Sequence, residues 1–273
     1  MRILMIAVAM GIVACDRTAE DPPKVETKPV AITYEGAGAT DPAAALAHGE
    51  RLTKVLGCRG CHGDNLQGEK FADEPGFGAI YASNLTLALQ RYDAASVEAA
   101  LRAGRRPDGS ELWAMPSEMY THLGEADMAA LILYLKSLSP AGKSMPPKRI
   151  DAGWRAEIAT GKYKSAPGYI AEEKGIVPVD LGPRHARGRM ITMTACTECH
   201  ASMLEGRDTT PNLDIVGAYS AEQFAILMRT GKPVGGRELR MMSGVARGRF
   251  AHLTDGEIAQ LHAYLKARAD RPQ

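Results

Sequence analysis

Cys58-Arg-Gly-Cys61-His62 and Cys196-Thr-Glu-Cys199-His200 are the residues of this sequence whose types and spacing carry chemistry. Two thiols three positions apart with an imidazole directly after them match the attachment signature of a c-type haem. The sulfurs form thioethers with the porphyrin vinyl groups, and the adjacent His binds iron as the proximal ligand. A zinc centre would pool two such cysteine pairs into one tetrahedron, whereas each pair here has its own His and its own repeat. A thioredoxin-like pair would need a βαβ setting, which neither repeat offers. The fifth cysteine, Cys15, stands alone, so the pattern is not a disulfide framework. Two covalently attached haem c groups are the expected cofactors, held by Cys58, Cys61, Cys196 and Cys199, with His62 and His200 on the irons.

The sixth ligand decides whether such an iron passes electrons or opens to small molecules. Met115, followed by Pro116, comes 53 residues after His62 in a polar loop before the last helix of its repeat. Gly236 to Met242 spans the same six residues as Gly109 to Met115, so register selects Met242 over its neighbour Met241. These two methionines occupy matching loop positions and not an apolar helical stripe, so they are the expected distal ligands, with Met241 as the alternative to Met242. His122 and His252 also match between repeats, but each precedes a helix start, where a structural role is the simpler reading. His48, His185 and His262 have no repeat partner and read as surface or packing residues.

These residues are positioned by two segments that repeat each other. LRAG ending at Gly104 corresponds to MRTG ending at Gly231, His122-Leu123 to His252-Leu253, and ADMAALILYLKSL to GEIAQLHAYLKAR. From His62 to Gly104 is 42 residues and from His200 to Gly231 is 31, so the first repeat carries an 11-residue insertion after its His. Domains are expected at 44–140 and 184–273, joined by a proline-rich linker at 141–183 with one short helix around Trp154 to Thr160. The segment 16–43, rich in Pro, Thr and charge without apolar periodicity, is expected to be a disordered tether.

With 273 residues, 45% hydrophobic but only 5% aromatic, two small domains are a better expectation than one aromatic core. Lys+Arg (33) and Asp+Glu (32) nearly cancel, which disfavours nucleic acid as a partner. The balance is uneven along the chain. Residues 44–140 hold nine Lys+Arg against twelve Asp+Glu, and 184–273 hold thirteen against nine. Either this is scattered solvated charge, or the unlike domains dock on each other or on different partners, with Arg237, Arg240, Arg247 and Arg249 meeting an acidic protein. Residues 1–15, MRILMIAVAMGIVAC, have one positive charge and an apolar run too short to span a bilayer, and read as an export signal. Ile12-Val13-Ala14-Cys15 resembles the cleavage box of bacterial lipoproteins, which implies lipidation of Cys15 and an anchor on the periplasmic side of a membrane, the inner one preferred. The alternative is an ordinary cleaved signal in which Cys15 is incidental.

Taken together, Gly49 and Gly188 in the first helices, the two Cys-x-x-Cys-His segments, the Met loops and the final helices with Tyr134 and Tyr264 resemble class I cytochromes c. The resemblance implies an all-α fold of two tandem domains, each a small helical bundle around its haem, with first and last helices crossing closely at the glycine. GFGAIYASNLT, DGSELWAMPSEMY and DMAALILYL are similar to haem domains in cytochrome subunits of bacterial membrane-bound alcohol, aldehyde and sugar-acid dehydrogenases. Those subunits commonly carry three haems and a C-terminal membrane segment, whereas two motifs and no apolar tail are found here. In the family a Pro lies in the loop after the haem His, where a nearby carbonyl fixes the imidazole tautomer; Pro211 is well placed for this, and Pro75 is its nearest equivalent in the enlarged first loop. The implied function is a non-enzymatic relay of single electrons from a dehydrogenase or quinol-linked donor to a downstream cytochrome or oxidase. The rival is a dihaem cytochrome c peroxidase-like enzyme, against which the repeated Met loop argues. A sensor module is disfavoured by the lack of a signalling domain.

Overall fold

A computed structural model describes residues 32–272. The expected export signal at 1–15, Cys15 and most of the expected tether lie outside the described residues.

The first repeat opens with α1 (Pro42–Val55), started by the Asp41 side chain accepting the Ala44 N–H at 2.8 Å with Pro42 in the first turn. It continues through α2 (Cys58–His62), the antiparallel hairpin β1 (Glu69–Glu74) and β2 (Gly78–Ala82), and α3 (Leu85–Ala88). Next come α4 (Ala94–Ala103), α5 (Ser117–Tyr120) and α6 (Glu125–Ser137). The linker contributes β3 (Arg149–Ile150), α7 (Ala152–Ala159) and α8 (Ala166–Glu172). The second repeat is α9 (Ala186–Ala195), α10 (Thr197–His200), α11 (Ala221–Thr230), α12 (Arg240–Gly248) and α13 (Asp255–Ala269). Helices α4 and α11 both end on a left-handed glycine, Gly104 and Gly231, and α11 and α13 both start with a capping box.

In each repeat the first and last helices cross where glycine removes the side chain. A Cβ on Gly49 would fall inside the Ala130 carbonyl, and one on Gly188 inside the Gln260 carbonyl, so α1 packs on α6 and α9 on α13 at backbone contact. Leu52, Leu131, Ile191, Leu261 and Tyr264 are buried along these crossings.

The fold is mostly helical, but the expectation of an all-α protein needs correction. The inserted segment of the first repeat pairs with itself as β1–β2, and linker strand β3 adds to the β2 edge. Isolated two-stranded hairpins are marginal. This one is covered by an aromatic cluster in which Trp154 of α7, fully buried, stacks on Phe77 and meets Trp113 and Tyr163 edge-on. The linker therefore holds two helices and a strand, where one helix was expected.

The tether also ends earlier than expected. Tyr34 is buried, its N–H donates to Asp127 at 2.9 Å, and its hydroxyl lies 2.7 Å from Thr194 Oγ1 in the other repeat. Glu35 donates its N–H to Glu257 at 2.8 Å. Asp127 and Glu257 occupy the same position, third in α6 and third in α13, so two consecutive residues entering one turn tie down the matching carboxylates of both repeats. Arg51 of α1 completes the junction with an ion pair of 2.7 Å to Glu257. Low hydrophobicity and high charge concealed this clip, because its order comes from long-range hydrogen bonds and not from an apolar period.

Candidate haem-attachment sites

Each Cys-x-x-Cys-His segment lies on a single helical turn, α2 or the Cys196–His200 turn, entered by a backbone that stops the preceding helix. At 3.6 residues per turn, thiols three apart and the following imidazole share one side. His62 and His200 are both buried. His62 Nδ1 lies 2.7 Å from the Ser83 carbonyl and His200 Nδ1 2.8 Å from the Pro211 carbonyl, so each Nδ1–H donates and each Nε2 keeps its lone pair. Burial lowers both imidazole pKa values, partly opposed by those carbonyls, and keeps the rings in the neutral, metal-binding form.

At their two ends the loops that follow the His share the same hydrogen bonds in both repeats. Gly68 N–H donates to His62 O at 2.8 Å and Gly206 N–H to His200 O at 3.0 Å; Leu85 N–H donates to Leu66 O and Leu213 N–H to Leu204 O, both at 2.9 Å. Leu66 and Leu204 share a left-handed backbone, φ 59° and 63°, which for leucine is held only by enforced closure of the loop. Asn84 and Asn212 each accept a backbone N–H two residues on. Sequence reasoning passed over these four residues, although Asn-Leu recurs at 84–85 and 212–213. In the second repeat the carbonyl near the imidazole is that of Pro211 itself. Pro75 has no such place: it sits exposed at the turn of the β1–β2 hairpin, and Ser83, where the hairpin rejoins the repeat, takes its role.

The cysteine thiols are not poised as nucleophiles. Burial pushes Cys58 up to about 11 and Cys196 up to about 12, and Cys61 and Cys199 upward as well. Among the described residues no three His, Cys, Asp or Glu side chains converge to hold a metal ion.

Met115 and Met242 are half-buried and pack against the hydrophobic core, whereas Met241 is 74% exposed. Met115 lies in a loop after Ala114, which has φ 60°, as expected, but Met242 does not match it: it lies on a helix, in the first turn of α12, because the second repeat has three more residues between its Met and its His and winds them as helix. Of the other histidines, His48 is buried against Asp127 at 2.7 Å and His262 against the Tyr219 carbonyl at 2.9 Å. His252 is exposed, with its carbonyl accepting from Arg51, and His122 is half-buried at the start of α6. Two buried donors without a protein partner lie by the Met115 loop: Ser117 Oγ, two residues beyond it, and Trp154 Nε1, beside Trp113. The free imidazole Nε2 atoms, the thiol-bearing turns, the sulfur donors on the core edge and these orphaned donors fit a covalently held, polar-edged porphyrin.

The four arginines grouped by sequence part company. Arg237 and Arg240 are exposed, but Arg247 is paired with Glu238 at 3.1 Å and Arg249 is turned inward onto Glu198 at 3.0 Å. An acidic partner cannot be met by all four.

Comparison with known proteins gives matches in both repeats. The family model described as Cytochrome c matches residues 46–139 and again 185–269. The fructose dehydrogenase cytochrome subunit of Gluconobacter japonicus is 24% identical over 84% of this chain and 54% of its own length. A diheme cytochrome c-type protein of Cereibacter sphaeroides is 27% identical over 81% of this chain and 84% of its own. A nicotinate dehydrogenase subunit of Pseudomonas putida is 30% identical over 66% of this chain but 16% of its own. The chain thus spans about half, or much less, of two of these relatives.

Proposed function

The chain belongs to the cytochrome c family, with two copies of the domain in tandem, and on that footing we propose that it relays single electrons from a dehydrogenase catalytic subunit or quinol-linked donor to a downstream cytochrome or oxidase. The carrying observation is the twofold repetition of a buried His whose Nδ1–H is spent on a backbone carbonyl, with a half-buried Met packed on the same core.

When bound, haem iron supplies a one-electron couple. Cys58, Cys61, Cys196 and Cys199 would hold the ring, His62 and His200 would offer Nε2, and Met115 and Met242 would offer sulfur, a donor set that gives a higher potential than a second imidazole would. The clip at Tyr34–Glu35 and the Arg51–Glu257 pair hold the two sites in one unit, so an electron need not wait for a domain encounter. Relatives that are cytochrome subunits of fructose and alcohol dehydrogenases support a dehydrogenase donor. An anchor through lipidated Cys15 on the periplasmic side of a membrane is supported by the N-terminal sequence alone; no described helix is long and apolar enough to cross a membrane.

The test is the oxidised holoprotein. Its mass should correspond to two haems, and Met-to-iron charge-transfer absorption should fall by about half in Met115→Ala, by about half in Met242→Ala, and not at all in Met241→Ala. Unmodified thiols at the paired cysteines would end the reading, and high-spin iron with peroxide turnover would favour the peroxidase-like alternative.

A further inference from the structure

Arg249 belongs to the second repeat but holds both attachment segments. Its Nε donates to the Val55 carbonyl at 3.2 Å, three residues before Cys58. Its Nη2 reaches the Ala195 carbonyl, directly before Cys196, at 3.5 Å, and its Nη1 pairs with Glu198, between Thr197 and Cys199, at 3.0 Å. The side chain is only 14% exposed. Gly57, φ 81°, leaves room for it: a Cβ there would stand 2.7 Å from the guanidinium carbon. A guanidinium stays charged at any working pH.

The matching position in the first repeat, three residues before His122, is the uncharged and buried Met119. His122 follows Met115 by seven residues, whereas His252 follows Met242 by ten. The longer stretch continues as α12 and delivers Arg249 at its C-cap, across to α1. The partly buried ion pair with Glu198 is costly to assemble for stability alone. It does supply one fixed positive charge, partly balanced, between two sites that gain and lose electrons.

We propose that Arg249 is a shared positioning residue of both centres: one guanidinium held against both Cys-x-x-Cys segments raises the two reduction potentials together and locks the thiol-bearing turns of the repeats next to each other. A nearby cation favours the reduced, more electron-rich state of whatever redox group those turns carry. The proposal rests on both motifs holding haem, and haem content by mass tests that premise separately.

Spectroelectrochemical titration of the two-haem protein decides it. In Arg249→Met, poised where each wild-type centre is half reduced, the reduced-to-oxidised ratio should fall about tenfold at both centres, equivalent to about 59 mV for a one-electron couple. Arg249→Lys keeps the charge and should recover most of the shift. Glu198→Gln should move both centres the opposite way, which a purely structural role would not produce. Arg247→Met, an exposed arginine of the same helix, should move neither. A shift at one centre only, or none, overturns the shared role; if Arg249→Met does not accumulate with two haems, the sign and reach of the Glu198→Gln shift decide alone.

Discussion

The two repeats reach the same imidazole geometry by different routes. In the second, four residues, 207–210, separate Gly206 from Pro211, and the loop is closed by its own hydrogen bonds, with Thr210 Oγ1 bonding the Cys199 and Arg207 carbonyls. In the first, residues 69–82 take that place as a hairpin, and Ser83 reaches His62 only after the hairpin has been laid down. That hairpin leans on β3 and Trp154, some 70 residues further along the chain. The second site is local and self-sufficient; the first depends on the linker. Deleting side chains that only one repeat uses separates the two cases.

Trp154→Ala is the strongest such change. Removing a fully buried Trp costs about 3–5 kcal/mol, and here it empties the aromatic cluster under β2. Hydrogen exchange read by mass spectrometry should show loss of protection over 69–83 and the Met115 loop while α9, α11 and α13 stay protected. Equal loss in both repeats would show that the linker supports the whole molecule and that the contrast between the sites is wrong.

A smaller contrast is electrostatic. Glu118, at the start of α5, is pushed up to about 7, chiefly by burial, with Glu173 and Glu198 adding to the rise and Arg207 opposing it. The folded state holds this proton more tightly than the unfolded chain, whose carboxyl titrates near 4.5. Its contribution to stability is therefore full below about pH 4.5 and lost as pH rises through about 7. Partial exposure to solvent reduces the effect to about 1–2 kcal/mol. Denaturant melts of Glu118→Gln should lack this decline between pH 5 and 7, and a decline identical to wild type would assign it to other groups.

The parts legible in the sequence were those written in local spacing. Attachment turns, paired glycines and final helices follow from short motifs repeated twice, and the Asn-Leu loop could have been added on the same evidence. Pairings between distant segments were not legible. Ser83 replaces Pro75 because the insertion folds as a hairpin, and neither strand alternates strongly enough to announce one: β1 is exposed along nearly its whole length. Arg249 looked like one of four surface charges because sequence shows charge but not which way a side chain turns. Tyr34 lay in a segment whose composition reads as disordered, and only its distant partners order it.

Tyr34 also gives the most delicate measure of how far the repeats depend on each other. Its N–H serves the first repeat through Asp127 and its hydroxyl serves the second through Thr194, all of it buried. Tyr34→Phe keeps the ring and the N–H and removes only the bridge. Thr194 Oγ1 retains its own bond to the Met190 carbonyl at 2.9 Å, so no donor is stranded, and the cost is about 1 kcal/mol. If the repeats unfold as one body, the whole denaturation curve shifts by that amount with unchanged slope. If they are separable, the transition splits or its slope falls, because the substitution touches the junction and neither core. Since Arg51–Glu257 and the Glu35 N–H still span the junction in the variant, a single shifted transition is the expected result, and a split one would show that the hydroxyl alone couples the two halves.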